Sequence, residues 1–384
     1  MAYQFKVPAY TFLGKNALGE SEKTIKTLGK KAFVVTDKVI AQTEAMQLLG
    51  DSLTAWGIAY EMFSNIYGEP TDTMILAGYD AYKTAGCDFL VAVGGGSALD
   101  SAKAISALCD LSGSLPEYMG KEIQGSFPPV VAIPTTAGTG SEATKFTIIT
   151  DTAKDVKMLL KGDALIPAVA VVDPAFTLSA PKKITAATGM DALTHAVESY
   201  TSRKANSMTD LFALDAVRRI FAWLPVAYDN GGDTKAREEM SIAAYEAGVC
   251  INNASVTLVH GMSRPIGALF HVPHGISNAM LIGECLAFAV DGCPEKFAAL
   301  ARAIGAADDK TEDSKAAAAF MEALAELCEE LEIPTLCEYG IKKEEYDSHI
   351  PKMARDAMAS GSPSNTIKEI AAEDLEAIYK RLYK

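Results

Sequence analysis

Apolar residues in the first half of the chain occur in short runs rich in valine, isoleucine and phenylalanine. Four such runs span residues 31–37, 89–96, 129–136 and 168–173, and stretches with a helical period, such as residues 71–86, separate them. Runs with little polar alternation are typical of strands that are covered on both faces, and strands that alternate with helices indicate βαβ units. We therefore expect an α/β domain built on a mainly parallel sheet.

The pattern changes near Pro181. From there apolar positions recur with a period of about 3.6 residues, as in residues 314–333, and strand-like alternation nearly disappears. Pro174 and Pro181 punctuate the change. We predict an α/β domain over residues 1–180 followed by an all-helical domain over residues 181–384.

Composition narrows the class of protein. The 384 residues are 49% hydrophobic, with a formal net charge of −14. No basic stripe is present, which argues against a nucleic-acid or anionic-membrane partner. No stretch approaches the roughly 20 apolar residues of a membrane span, and the first residues lack a signal-peptide pattern. The seven cysteines include no Cys-x-x-Cys pair and are interpreted as reduced thiols, so we expect a cytoplasmic protein.

Four residues have the chemistry of a metal site. Asp191 and His195 are four positions apart, which places them on one helix face, and His260 and His274 are two of only five histidines in the chain. Pro273 is expected to end one helix so that His274 opens the next. Imidazoles and a carboxylate suit a divalent transition metal. Spacing alone supports equally well a surface pair beside two core histidines.

Two segments that follow strands have the composition of nucleotide-binding loops. Residues 94–105, GGGSALDSAKAI, combine three glycines with a helix start, whose free amides favour phosphate. This is not the G-x-G-x-x-G fingerprint, and a tight structural turn is the alternative. Residues 134–150, PTTAGTGSEATKFTIIT, offer several hydroxyl donors. Their alternative is a loop that caps its own helix near Ser141.

Asp37 stands at the end of the run 31–37. A carboxylate at the carboxyl end of a strand can accept a hydrogen bond from a ribose hydroxyl and would repel a 2′-phosphate, which favours NAD over NADP. Alone, Asp37 could equally cap the helix that follows.

Several long segments, in order and in register, resemble one enzyme family. GGGSALDSAKAI, PTTAGTGSEAT, TAATGMDALTHAVESY and HGMSRPIGALFHVPHGISNAM are similar to motifs of the iron-dependent (group III) alcohol dehydrogenases. The resemblance implies a dehydroquinate synthase-like fold, with an N-terminal α/β nucleotide-binding domain and an all-α C-terminal domain. It implies NAD(H) as cofactor and Fe²⁺ held by Asp191, His195, His260 and His274, while Zn²⁺ or Mn²⁺ stays possible.

The resemblance also extends the set of cofactor-binding candidates. Asp37 matches the ribose-binding acid, and the glycines and Ser97 match the pyrophosphate loop. From the two loops and the resemblance together, the candidates are Asp37, Gly94, Gly95, Gly96, Ser97, Asp100, Thr136, Thr139, Ser141, Thr144 and Lys157.

This chain departs from many family members at two positions. Arg264 stands four residues after His260, where many members carry a histidine that is proposed to relay protons. A fixed cation cannot relay protons in the ordinary way. Glu69 stands where many members have an asparagine, which puts that contact to the cofactor in doubt.

The resemblance implies interconversion of a short-chain aldehyde and its primary alcohol. Arg264 favours a small anionic aldehyde, such as sulfoacetaldehyde or succinic semialdehyde. Alternatively it neutralises a nearby acid or the cofactor's phosphates, and the substrate is a neutral alcohol or diol of the butanol, 1,3-propanediol or lactaldehyde type. His271 is a candidate proton relay; the alternative is that it fills a helix end while solvent supplies the proton.

The sequence supports two other functional classes less well. Dehydroquinate synthase and glycerol dehydrogenase resemble the architecture, but their motifs differ from TAATGMDALTHAVESY. A non-redox metal- and nucleotide-binding module is disfavoured because structural metal sites are usually rich in cysteine. The family also suggests a homodimer or a larger homo-oligomer.

Overall fold

The computed structural model describes residues 2–383. Two compact units make up this part of the chain: one is Lys6–Ala180, and the other begins at Pro181 and includes residues 2–5. The first unit is built from alternating strands and helices and the second from helices, which confirms the predicted fold class. No helix in the described part of the chain combines the length and apolarity of a membrane span.

The first unit contains a six-stranded sheet and a separate two-stranded hairpin. Its strands are β1 (Tyr10–Leu13), β2 (Lys31–Asp37), β3 (Ala59–Ile66), β4 (Phe89–Gly94), β5 (Val130–Pro134), β6 (Phe146–Asp151), β7 (Val156–Lys161) and β8 (Val169–Val172). Its helices are α1 (Ala17–Glu20), α2 (Glu22–Lys26), α3 (Glu44–Ala55), α4 (Asp72–Ala85) and α5 (Gly96–Leu108).

All pairs in the large sheet are parallel, in the order β1-β8-β5-β4-β2-β3. Strands β4, β5 and β8 are buried along their whole length, as the continuous apolar runs predict. Alternate residues enter two hydrophobic clusters: Leu90 lies in one, with residues of α4 and α5, and Val91 lies in the other, with residues of α3. The carboxyl ends of β2, β4 and β5 therefore share one edge of a rigid sheet.

Strands β6 and β7 pair antiparallel and were not expected from the sequence. In β7, VKMLLK, only Met158 and Leu160 are buried. The hairpin occupies part of the segment that the sequence presents as a hydroxyl-rich loop, so that loop ends at Lys145.

The second unit contains no strand among its described residues. Its helices are α6 (Lys182–Tyr200), α7 (Ser207–Asp229), α8 (Thr234–Asn253), α9 (Leu258–Phe270), α10 (His274–Ala289), α11 (Pro294–Ala303), α12 (Asp313–Glu330), α13 (Lys343–Ala359) and α14 (Ala372–Leu382). Side-chain caps mark some of the boundaries: Asn206 accepts from the amides of Met208 and Thr209 at the start of α7.

The amino-terminal residues differ from the predicted domain assignment, which placed them in the α/β domain. Phe5 stacks on Phe212 of α7 with ring centroids 6.1 Å apart, and Tyr3 shares a 2.7 Å hydrogen bond with Ser207. These contacts place residues 2–5 with the helical unit because an aromatic pair buries apolar surface there. The break between the units falls between Ala180 and Pro181.

Candidate active site

The structure brings the four predicted metal-binding residues together within the helical unit. Asp191 and His195 lie one turn apart on α6, His260 is in the first turn of α9, and His274 is the first residue of α10. From Oδ1 of Asp191 the distances to the Nε2 atoms are 3.9 Å for His195 and 3.6 Å for both His260 and His274. The carboxylate is thus the common neighbour of three imidazoles.

The chain between α9 and α10 explains this convergence. Helix α9 ends at Phe270, and His271 adopts a left-handed conformation with φ 53°. Pro273 is extended, and α10 begins at the next residue, as the sequence predicts. A Cβ on Gly275 would lie 2.4 Å from the carbonyl oxygen of Ala187, so only glycine lets α10 start this close to α6.

Three of the four side chains are buried, and the fourth is open to solvent. The exposed fractions are 3% for Asp191, 6% for His195 and 4% for His260, against 45% for His274. Burial alone would raise the pKa of Asp191, but the neighbouring imidazoles hold it well below its usual range. The carboxylate therefore stays ionised, as a metal ligand must.

Glu198 is a functional residue that sequence reasoning missed. It is fully buried on α6, and its Oε2 lies 2.6 Å from Nδ1 of His260. Burial would lower the pKa of His260, but Glu198 and Asp191 raise it to about 9. The signal was present, because Glu198 lies three residues after His195 and seven after Asp191, on the same helix face.

Asn278 was also missed. Its Nδ2 lies 2.7 Å from Oδ1 of Asp191 and 3.2 Å from the Nε2 atoms of both His260 and His274. An amide group has two hydrogens, so it cannot donate to all three atoms when both ring nitrogens are unprotonated. Asn278 follows His274 by four residues, the same spacing that joins Asp191 to His195.

These contacts provide a test of whether a metal fits. When the Nε2 atoms are unprotonated, several lone pairs point at one donor group, and the ligand atoms of Asp191, His195 and His260 all lie within 4.8 Å of one another. Imidazole nitrogen and carboxylate oxygen are ligands that Fe²⁺, Zn²⁺ and Mn²⁺ accept. The residues present therefore fit a divalent transition metal.

The two candidate catalytic residues flank this cluster on α9. Arg264 follows His260 by one turn, is partly buried, and donates from Nη1 to Oγ of Ser362 over 3.1 Å. No carboxylate among the described residues forms an ion pair with Arg264 at or below 4.0 Å. His271 is exposed at the end of the helix. Arg264 is thus a cation near the cluster with little local neutralisation.

In the α/β unit the two predicted nucleotide loops lie against each other. A Cβ on Gly95 would meet Oγ1 of Thr136 at 3.5 Å, and one on Gly96 would meet Cγ2 of Thr139 at 3.0 Å. Gly94 has φ 154°, a conformation that favours glycine. Helix α5 begins between the loops at Gly96, with Ser97 in its first turn, so its free amides face this region.

Asp37 lies at the same edge of the sheet, at the carboxyl end of β2. Its Oδ1 accepts from the amides of Val39 and Ile40 at 2.7 and 2.9 Å. Its Oδ2 is 3.9 Å from the Cβ position of Gly94. One oxygen therefore caps the following turn, as the alternative interpretation predicts, while the other faces the glycine loop.

Three predicted cofactor contacts are instead engaged within the protein. Lys103 is buried, and its Nζ donates to Oγ of Ser141 at 2.8 Å and to the carbonyl of Thr144 at 2.9 Å. Ser141 donates to Oδ1 of Asp100 at 2.6 Å. Burial lowers the pKa of Lys103 to about 8, while Asp100 opposes the shift. Asp100, Ser141 and Thr144 thus fix the shape of the loop, because their polar atoms already have partners.

The remaining candidate, Lys157, lies on β7. Its Nζ is 2.5 Å from Oε1 of Glu69, and both side chains are largely exposed. The substitution of glutamate for the asparagine common in the family therefore has a local consequence, because it gives Lys157 an acidic partner.

Comparison with known proteins covers both units. A family model for "iron-containing alcohol dehydrogenase" matches residues 8–174, and one for "Fe-containing alcohol dehydrogenase family, C-terminal" matches residues 185–383. An NAD-dependent methanol dehydrogenase of Bacillus methanolicus is 36% identical over 96% of this chain and 97% of its own.

Solved structures agree. A 1,3-propanediol oxidoreductase superimposes with a TM-score of 0.96 at 34% identity, covering 100% of both chains. A sulfoacetaldehyde reductase from Bifidobacterium kashiwanohense, in complex with NAD⁺, gives a TM-score of 0.88 at 28% identity over 100% of this chain and 99% of its own. The predicted family is confirmed: the chain belongs to the iron-containing alcohol dehydrogenases.

Proposed function

We propose that the protein is a metal-dependent, NAD(H)-linked alcohol dehydrogenase that interconverts a short-chain aldehyde and its primary alcohol. The observation that carries this proposal is the grouping of three imidazoles around the carboxylate of Asp191. These residues would hold Fe²⁺, and Zn²⁺ or Mn²⁺ would also suit them. When bound, the metal polarises the carbonyl oxygen and NADH supplies the hydride.

The nucleotide is assigned to the edge of the sheet where β2, β4 and β5 end. The amides at the start of α5, with Gly94, Gly95, Gly96 and Ser97, bind the pyrophosphate. Asp37 accepts from the ribose, while Thr136 and Thr139 donate to the cofactor across the glycine loop. Lys157 is the remaining candidate contact, and its ammonium group is also paired with Glu69.

Removing a metal ligand tests the activity. His260→Ala and Asp191→Ala should abolish aldehyde-dependent oxidation of NADH, while the Kd for NADH stays within about twofold, since the ligands and the nucleotide loops belong to different units. His349→Ala, at a partly exposed histidine of α13, is the matched control and should keep full activity. Undiminished turnover by metal-stripped enzyme would contradict the proposal.

We further propose that the aldehyde carries a sulfonate or carboxylate. Arg264 supports this because it stays charged at neutral pH, lies one turn from His260, and within the described part of the chain hydrogen-bonds only to the neutral hydroxyl of Ser362. A planar guanidinium binds such groups through paired hydrogen bonds. The sulfoacetaldehyde reductase structure is a relative whose named substrate has this chemistry.

The second candidate substrate is a neutral short-chain alcohol or diol. The methanol dehydrogenase and the 1,3-propanediol oxidoreductase are named for neutral alcohols, and both match nearly the whole chain. This similarity favours a neutral substrate. In that case Arg264 faces the cofactor's phosphates or offsets the buried charge of Glu198, which acts on it electrostatically.

A substrate panel separates the two. We compare kcat/KM for sulfoacetaldehyde, succinic semialdehyde and propionaldehyde in the wild type and in Arg264→Gln. An anionic substrate should lose about 10- to 100-fold, the size of a charged hydrogen bond, while propionaldehyde changes by less than about threefold. Ser362→Ala is the control that frees Arg264 without removing its charge. Equal losses on charged and neutral aldehydes would overturn the anionic assignment.

We also propose that His271 passes a proton toward the alcohol oxygen. Its exposed imidazole lies three residues before His274, and its left-handed backbone directs the chain into α10. His271→Asn should lower kcat, because the imidazole that passes the proton is gone. An unchanged kcat would assign proton supply to solvent.

The cellular setting is proposed to be the cytoplasm, with the protein acting as a homodimer or larger homo-oligomer. All seven cysteines are free thiols, which suits a reducing compartment. Sedimentation equilibrium of the purified protein tests the oligomer, and a monomer across the micromolar range would contradict it.

A further inference from the structure

We propose that Glu198 is a positioning residue for the metal site: it holds a ring proton on Nδ1 of His260 and thereby reserves Nε2 of that histidine for the metal. The inference deepens the proposed function and rests on a metal binding at the cluster around Asp191. It assigns a specific task to a buried carboxylate that does not itself face the grouped ligand atoms.

The contacts of Glu198 define the orientation of its carboxylate. Oε2 lies 2.6 Å from Nδ1 of His260. Oε1 accepts from the hydroxyl of Thr257 at 2.8 Å and from the amide of Val259 at 2.5 Å. The side chain is fully buried, so water does not compete for these bonds. Both oxygens are therefore fixed by donors that surround them.

This geometry determines which nitrogen of His260 carries the proton. An ionised carboxylate can only accept hydrogen bonds, so Nδ1 must be the donor. A histidine that binds a metal is neutral and has one N–H, so the lone pair is then left on Nε2. Nε2 is the atom that lies 3.6 Å from Oδ1 of Asp191. The carboxylate on one side of the ring thus prepares the opposite side for metal binding.

Substitution by glutamine makes a distinctive prediction. The amide of Val259 can only donate, so the carbonyl oxygen of a glutamine would remain on the Oε1 side. Its NH₂ group would then face Nδ1 of His260. Nδ1 would have to accept, and the ring proton would move to Nε2, where it blocks metal binding. Glu198→Gln preserves volume yet enforces the wrong tautomer, whereas Glu198→Ala leaves the tautomer free.

The experiment measures the Kd for Zn²⁺ by competition with a chromogenic chelator, in the wild type, Glu198→Ala, Glu198→Gln and Glu198→Asp. We expect Glu198→Ala to weaken binding by about 10- to 100-fold, as for other residues that support metal ligands, Glu198→Gln to weaken it further, and Glu198→Asp to retain part of the affinity. A purely structural role predicts the reverse order, because glutamine fills the space that alanine vacates. The proposal would be overturned if Glu198→Ala and Glu198→Gln lost equal affinity for Zn²⁺, or if Glu198→Gln lost less.

A measurement on the wild type keeps the proposal testable if a variant fails to fold. In Zn²⁺-loaded protein with ¹⁵N-labelled histidine, the five imidazoles give few enough ring signals to assign individually. His260 should show a protonated, slowly exchanging Nδ1, and a His260 ring without that proton would refute the inference.

Two controls separate the possible failures. Glu246→Gln removes a buried carboxylate from α8 that contacts no ligand, and its Kd for Zn²⁺ should equal that of the wild type. If the wild type itself binds no Zn²⁺, Fe²⁺ or Mn²⁺, the proposed metal-dependent function and this inference both fail. If the wild type binds metal but the order of the variants is wrong, only the role of Glu198 fails.

Discussion

The amide nitrogen of Asn278 lies 2.7 Å from the carboxylate oxygen of Asp191 that the three imidazoles surround. The same nitrogen is 3.2 Å from ring nitrogens on α9 and α10. A residue of α10 therefore restrains the ligand supplied by α6. This contact therefore joins α10 to the carboxylate of α6.

Removing the amide should weaken metal binding. We expect Asn278→Ala to raise the Kd for Zn²⁺ by about tenfold, because the carboxylate loses the donor that orients it. Chelator competition measures the change. Ser277→Ala is the matched control on the same helix, since its hydroxyl donates to the carbonyl of Ser263 and contacts no ligand. The same Kd in both variants would show that Asn278 does not support Asp191.

Cofactor preference should depend on Asp37. We expect Asp37→Ser to shift the ratio of kcat/KM for NADPH to that for NADH by at least about tenfold toward NADPH, because the carboxylate that repels a 2′-phosphate is gone. Serine keeps an acceptor for the amides of Val39 and Ile40, so the turn is retained. Asp37→Asn should shift the ratio in the same direction. An unaltered preference in both variants would remove Asp37 from cofactor selection.

The free energy of unfolding should fall with rising pH because of Glu246, which lies on α8 and is 3.6 Å from Arg219 of α7. Burial raises its pKa to about 8, and the nearby Asp215 adds to the shift, although Arg219 opposes it. A carboxyl whose pKa is higher in the folded protein stabilises it at low pH, and that contribution is lost as pH rises through the folded pKa. The loss should therefore extend from about pH 4 to above pH 8.

Urea unfolding of the wild type and of Glu246→Gln measures this effect. Between about pH 5 and about pH 8.5 the free energy of unfolding of the wild type should fall by about 4 kcal/mol relative to the variant, which has no proton to lose. Asp215→Asn should reduce the difference by removing a negative charge near Glu246. Parallel pH profiles for wild type and Glu246→Gln would contradict the assignment.

Much of the fold follows from local patterns. The buried strands β2, β4, β5 and β8 appear in the sequence as apolar runs because both faces of the sheet are covered. The edge strand β3 has six of its eight residues at least partly exposed and so lacks that signature. The pairing of β6 with β7 depends on register, which a single sequence expresses weakly.

The candidate site could likewise be predicted only in part from the sequence. The four ligands could be predicted because histidine is rare in this chain and because the i,i+4 spacing and Pro273 are local signals. Glu198 and Asn278 carried comparable spacing signals, yet Glu198 meets His260 of α9 and Asn278 meets Asp191 of α6. Which side chains meet across α6, α9 and α10 depends on close packing, such as the contact that Gly275 permits with Ala187.

The contacts of residues 2–5 with α7 have a consequence for recombination within this family. A chimera joined only at Ala180 and Pro181 would pair the helical unit of one parent with the amino-terminal segment of the other. Phe5 would then meet a foreign residue in place of Phe212. Exchanging the helical units of two such enzymes therefore needs two crossover points, one after residue 5 and one after residue 180. Residues 2–5 then come from the same parent as the helical unit that they contact.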